Sequence, residues 1–173
     1  MDEPLKKSFV QQMQDALQKQ LSEFEAAKKE QQHDAKIVAD EGAKMWNELK
    51  ASLKRHVEEI NEELPEAMLS YSENASGNEF TLRHEVHDRT TRVIFDPASA
   101  VISYEGNGGS GAFRPRVEGD ALEYGWENTI PCGVPKPKRA FRFEDAEPPM
   151  TISIKEMSEI IIHCIVVEPV PED

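Results

Sequence analysis

The sequence predicts an α+β fold: a long N-terminal helix or helical hairpin, an antiparallel β-meander of about five or six strands, and a C-terminal helix. Three observations carry this. Apolar residues recur every three or four positions from Leu5 to Leu64, with no proline between Pro4 and Pro65. From Ala67 the apolar period changes to two. Turn residues then punctuate the chain every 8–12 residues or so, with no helical pattern between them, which excludes βαβ units. The expected division is a helical segment at 1–64 and an antiparallel α+β domain at 65–173.

The helical segment opens on Asp2 and Glu3 ahead of Pro4, acidic groups at the positive helix end with proline in the first turn. Its apolar stripe is Leu5, Phe9, Met13, Leu17, Leu21 and Phe24, then Ala35, Val38, Met45, Leu49, Leu53, Val57, Ile60 and Leu64. Asp15 with Lys19, Glu25 with Lys29 and Asp40 with Lys44 add acid-before-base support at i,i+4. Pro65 disfavours helical geometry at Leu64 and ends the run. Two features leave hairpin and single helix both open. Residues 28–34 hold no apolar position, and Gly42 costs about 1 kcal/mol in a helix interior. An unbroken helix of about 60 residues is roughly 90 Å long, more than a domain of the remaining size covers. Part of the stripe then needs another partner.

In the second half Phe80, Leu82, His84 and Val86 alternate with polar residues, followed by Val93 and Phe95, Ile102 and Tyr104, Phe113 to Val117, and Leu122, Tyr124 and Trp126. Turns are expected at 74–78, 87–89, 96–97, 106–111 and 119–120, a loop at 128–137, and a late strand at 140–143. Ser153 and Glu156 form a capping-box pattern ahead of Met157, Ile160, Ile161, Cys164 and Ile165, which share a helical face. That helix is the adopted reading of 154–167. A buried strand is its rival, because the run is rich in β-branched residues.

The formal net charge is −13. Phosphate backbones and anionic lipid repel such a chain, so neither nucleic acid nor membrane is an expected partner. The N-terminus lacks an apolar leader, and the expectation is a soluble cytoplasmic protein. Cys132 and Cys164 match no metal or redox spacing and are expected to be buried thiols.

Most candidate motifs fail on context. Gly106, Gly108 and Gly111 fit G-x-G-x-x-G, but Pro115 and the alternating pattern forbid the helix a dinucleotide needs, so a hairpin loop is expected. His84, Glu85, His87 and Asp88 resemble metal ligands, yet in a strand the two histidines, three apart, point to opposite faces. Neither cysteine sits in an electropositive turn. Glu58, Glu59, Glu62 and Glu63 read as a solvated helix end. No catalytic residue, cofactor or metal is expected. One basic cluster, Lys136, Lys138, Arg139 and Arg142, interleaves with Phe141 and Phe143 and is read as an interaction surface.

The functional expectation is a non-catalytic, self-associating or protein-interaction protein, a homodimer as first guess. The stripe Phe9, Met13, Leu17, Phe24, Val38, Met45, Leu49 and Leu53 makes its contact. The alternative is a small-ligand-binding or enzymatic domain with a pocket lined by Phe113, Tyr124, Trp126 and Phe141. A third reading has the acidic helix docking on a basic protein.

Overall fold

A computed structural model describes residues 8–107, 109–130 and 151–166, without the side chains of 128–130. The order is α1 (Phe9–Glu63), a 3-10 turn (Pro65–Ala67), β1 (Leu69–Glu73), β2 (Glu79–His84), β3 (Arg89–Phe95), β4 (Ile102–Gly106), β5 (Gly109–Glu118), β6 (Ala121–Ile130) and α2 (Ile154–Val166). The α+β prediction holds in all three of its parts. The strands form one six-stranded antiparallel sheet in the order β1-β2-β3-β4-β5-β6.

The hairpin alternative is absent: α1 has no turn between Lys28 and Gly42. The chain divides into two compact units, Met1–Lys36 and Ile37–Asp173, and the division falls inside α1. In the first unit the helix starts at Phe9 under a capping box. The Gln11 amide N–H donates to Ser8 Oγ (3.2 Å), and the Ser8 amide N–H to Gln11 Oε1 (3.1 Å). The start expected at Asp2 to Pro4 lies outside the described residues.

In the second unit, Trp46, Leu49, Leu53 and Val57 of α1 are buried in the core. Their 3-4-4 spacing keeps them on one face. The Trp46 ring stacks on Phe95 at 5.5 Å, and its Nε1–H donates to the Gly77 carbonyl at 2.8 Å. Gly42, read as a weak point in the helix, is a packing notch. A Cβ at that position would lie 2.7 Å from Ala100 Cβ, so the backbone approaches closely only because the residue is glycine. After Glu63 the Asn61 side-chain amide donates to the Leu69 carbonyl and accepts from the Leu69 N–H, both at 2.8 Å, aligning β1.

One face of the sheet is buried, carrying Phe80, Leu82, Val93, Phe95, Ile102, Tyr104, Phe113, Tyr124 and Trp126. Two buried hydrogen bonds fix its aromatics: Trp126 Nε1–H to Tyr104 Oη (2.8 Å), and Tyr124 Oη–H to the Ala100 carbonyl (2.8 Å). Burial drives the Tyr104 hydroxyl up to about 12 and raises that of Tyr124 further. Gly111 lies opposite Tyr104, where a Cβ would collide with the phenol. The other face carries cross-strand ion pairs, including Arg92 with Glu79 and Glu105, and Arg114 with Glu127.

α2 is a helix, not the rival strand, and the Ser153–Glu156 capping box forms (Glu156 N to Ser153 Oγ, 3.1 Å). It packs on β2, β3 and β4 through Met157, Ile161, Cys164 and Ile165. Preceding it, the Ile152 N–H donates to the Tyr124 carbonyl of β6 at 2.8 Å. The sulfur of Cys164 is disulfide-bonded rather than a free thiol. Cys132 lies outside the described residues.

Several boundaries differ from expectation. β1 is an addition to the expected strands, since its Leu69 and Tyr71 alternate with serines too weakly to stand out. Within the glycine run β4 ends at Gly106, and Gly109 to Gly111 belong to β5. β6 continues through Ile130, where the sequence predicts a loop from Asn128. The 140–143 strand falls outside the described residues.

Candidate functional site

The stripe proposed for self-association divides by environment. Leu49 and Leu53 are fully buried in the core, and Val38 and Met45 are partly buried against it. In the unit Met1–Lys36, by contrast, Phe9, Val10, Met13, Leu17, Leu21 and Phe24 are 47–73% exposed. At 3.6 residues per turn these six lie within about 120° of the helix circumference and along about 23 Å of its axis. They form one apolar face, with Gln20 the single polar side chain inside the arc, rather than scattered exposures. Its surroundings carry little net charge. Residues 1–36 hold six lysines against seven Asp+Glu, a net −1, whereas residues 37–173 hold 14 Lys+Arg against 26 Asp+Glu, a net −12.

A second feature lies wholly within the unit Ile37–Asp173. A groove of about 360 Å³ between α1 and α2 is lined by His56, Ile60, Glu159, Ile162, His163 and Val166. His56 and Ile60 project from one face of α1; Glu159, Ile162, His163 and Val166 project from one face of α2, at offsets of three, four and seven. His56 Nδ1 shares a 2.5 Å hydrogen bond with Ser158 Oγ. Ser158 is fully buried. No substrate reaches that hydroxyl, so the pair links the helices and is not a nucleophile with its base. His163 Nδ1 is buried and has no hydrogen-bond partner. The groove offers an aliphatic floor with two imidazoles and a carboxylate at its rim, which suits an amphiphilic small molecule.

The pair His84 and His87 corrects the expectation that they diverge. β2 ends at His84, and residues 85–88 turn back, so the two rings come to 4.7 Å of each other. The His87 N–H donates to His84 Nδ1 at 3.3 Å. Val86, placed with the apolar face by the alternation, is exposed at that turn. His84 itself is buried, and desolvation, with help from the Arg89 and His87 charges, lowers its pKa. Arg89, expected in the turn, begins β3 instead. It is 9% exposed, and its guanidinium donates from Nη2 to the Val166 carbonyl at 2.9 Å, capping the C-terminus of α2. Sequence reasoning missed Arg89 because nothing local marks an arginine whose partner lies 77 positions away. Among the described residues no group of three or more His, Cys, Asp or Glu is arranged to hold a metal.

Of the expected pocket residues, Phe113, Tyr124 and Trp126 are all packed into the core. Phe141, and the basic cluster Lys136, Lys138, Arg139 and Arg142, lie outside the described residues. Glu58, Glu59, Glu62 and Glu63 are exposed at the end of α1. Among the described residues no helix is long and apolar enough to cross a membrane. Comparison with family models, curated proteins and solved structures finds no match to this chain.

Proposed function

We propose that this protein is a non-catalytic, self-associating protein: the helix of residues 9–36 makes the contact between copies, and the sheet domain presents a surface. The observation that carries the reading is the exposed stripe from Phe9 to Phe24. Single exposed apolar residues are ordinary, but a contiguous face of six large side chains is the usual mark of a partner surface. The near-neutral charge of residues 1–36 favours a second copy, since a self-interface places identical charges near one another. A homodimer joined by paired helices, in coiled-coil fashion, is the simplest form. A cytoplasmic setting belongs to the same reading, with the Cys164 disulfide an exception to the free thiols that reducing compartments favour.

Sedimentation velocity at micromolar concentration tests it. The wild-type chain is expected to sediment as a dimer and Leu17→Asp/Leu21→Asp as a monomer, with the near-ultraviolet tryptophan signal of the sheet domain unchanged. A wild-type chain that sediments as a monomer refutes the proposal.

A second reading, binding of a small ligand, rests on the His56–His163 groove. Octylamine, whose ammonium group suits Glu159 and whose chain suits the aliphatic floor, is the probe. Saturable shifts of the Ile60 and Ile162 methyl resonances would support it, and shifts absent at millimolar octylamine would dismiss it.

A further inference from the structure

The stripe of the N-terminal unit has an internal symmetry. Leu17 is its centre: Met13 and Leu21 stand four residues to either side, and Val10 and Phe24 seven to either side. Offsets of four and seven are the ones that stay on one helical face. Each of the five is exposed. A two-fold interface brings residue i onto j and j onto i. Two antiparallel copies centred on Leu17 therefore set Leu17 on Leu17, Met13 on Leu21 and Val10 on Phe24.

A parallel pair also matches apolar with apolar, so charge must discriminate. In parallel register Glu23 and Glu25, which flank the stripe, each lie level with their own copies. Antiparallel register places Glu23 level with Gln11 and Glu25 with Phe9, while Asp15 stands on the far side of the helix and takes no part. Both flanking acids are then level with a neutral residue. The chain exits give the larger difference. Each helix leaves this unit at Lys36, 19 positions beyond Leu17, and residues 37–173 carry a net −12. Parallel helices exit about 10 Å apart, close to the screening length of about 8 Å at physiological salt. Antiparallel helices exit about 57 Å apart at 1.5 Å per residue, where that repulsion is screened away.

We infer that the residue 9–24 stripe pairs with the same stripe of a second copy in antiparallel orientation, centred on Leu17. The inference rests on the self-association proposed above.

Photo-crosslinking of the full chain tests it, with p-benzoylphenylalanine in place of Phe24 and mixed ¹⁴N and ¹⁵N chains to mark products between copies. The expected dominant product joins residue 24 of one chain to the peptide containing Val10 of the other. A product joining residue 24 to the partner's residues 20–28 means parallel pairing and overturns the inference while leaving self-association intact. A dimer without any product between copies also overturns it, since the interface then lies elsewhere. A chain that sediments as a monomer removes the underlying proposal instead.

Discussion

Gly42 and Ala100 meet backbone to methyl: a Cβ on residue 42 would sit 2.7 Å from Ala100 Cβ. Ala100 is fully buried and holds a left-handed φ of 58°, so it has little freedom to retreat. Alanine is the better helix former by about 1 kcal/mol, but crowding a packed contact costs about 1–3 kcal/mol. Gly42→Ala is expected to destabilise the fold by up to about 2 kcal/mol in urea denaturation. Ala100→Gly, which removes both the methyl and the left-handed strain, is expected to restore the loss when combined with it. If Gly42→Ala raises stability instead, helix propensity dominates and the close approach has no energetic weight.

A second crowded point joins Gly111, Tyr104 and Trp126. Tyr104→Phe leaves the buried Trp126 N–H without its acceptor, at a cost of about 1–3 kcal/mol. Gly111→Ala drives a methyl into the Tyr104 phenol. The double variant Gly111→Ala/Tyr104→Phe is expected to lose less than the two single losses added together, because it removes the hydroxyl, the nearest of the crowding groups, while the ring carbon and the Glu127 carbonyl, each 2.7 Å away, keep part of the loss. Additive losses in a double-mutant cycle would refute the shared site.

The lowered pKa of His84 links stability to pH. Its ordinary value is 6.5, and in the fold it stays neutral to lower pH because burial and Arg89 disfavour the charged ring. The unfolded chain then binds the proton first. The contribution of His84 is fully present above pH 6.5 and is lost as pH falls from there through the depressed value. His84→Gln is expected to flatten the stability profile as pH falls below 6.5, whatever its effect in alkaline buffer. An unchanged slope in urea titrations across that range would contradict it.

Cys164 anchors α2 through a disulfide as well as through burial. Reduction is expected to lower stability by about 2–4 kcal/mol, read as a fall in Tm with reductant present. Alkylation at Cys164 in the unfolded but unreduced chain would show that the bond is absent.

The coarse architecture was legible because periodicity reports burial directly. The 3-4 spacing around Leu49 and Leu53 and the alternation through Phe80 and Leu82 each encode one apolar face. The features that were not legible depend on residues far apart. Gly42 carries a notch only because Ala100 is there, and Arg89 is buried only because the end of α2 passes over it. The groove is assembled from residues near 56 and near 163, each unremarked within its own helix. His84 and His87 escape the pattern for a local reason: the strand stops one turn earlier than the alternation through Val86 implies.

Among the described residues every strand pairs with its neighbours in sequence, so the sheet can grow hairpin by hairpin without waiting for distant segments to meet. The long-range closures are made by the helices, as in the bond between His56 and Ser158, which spans 102 positions. Folding is expected to be rapid through the meander and slower for α2, whose docking closes contacts over long sequence separations.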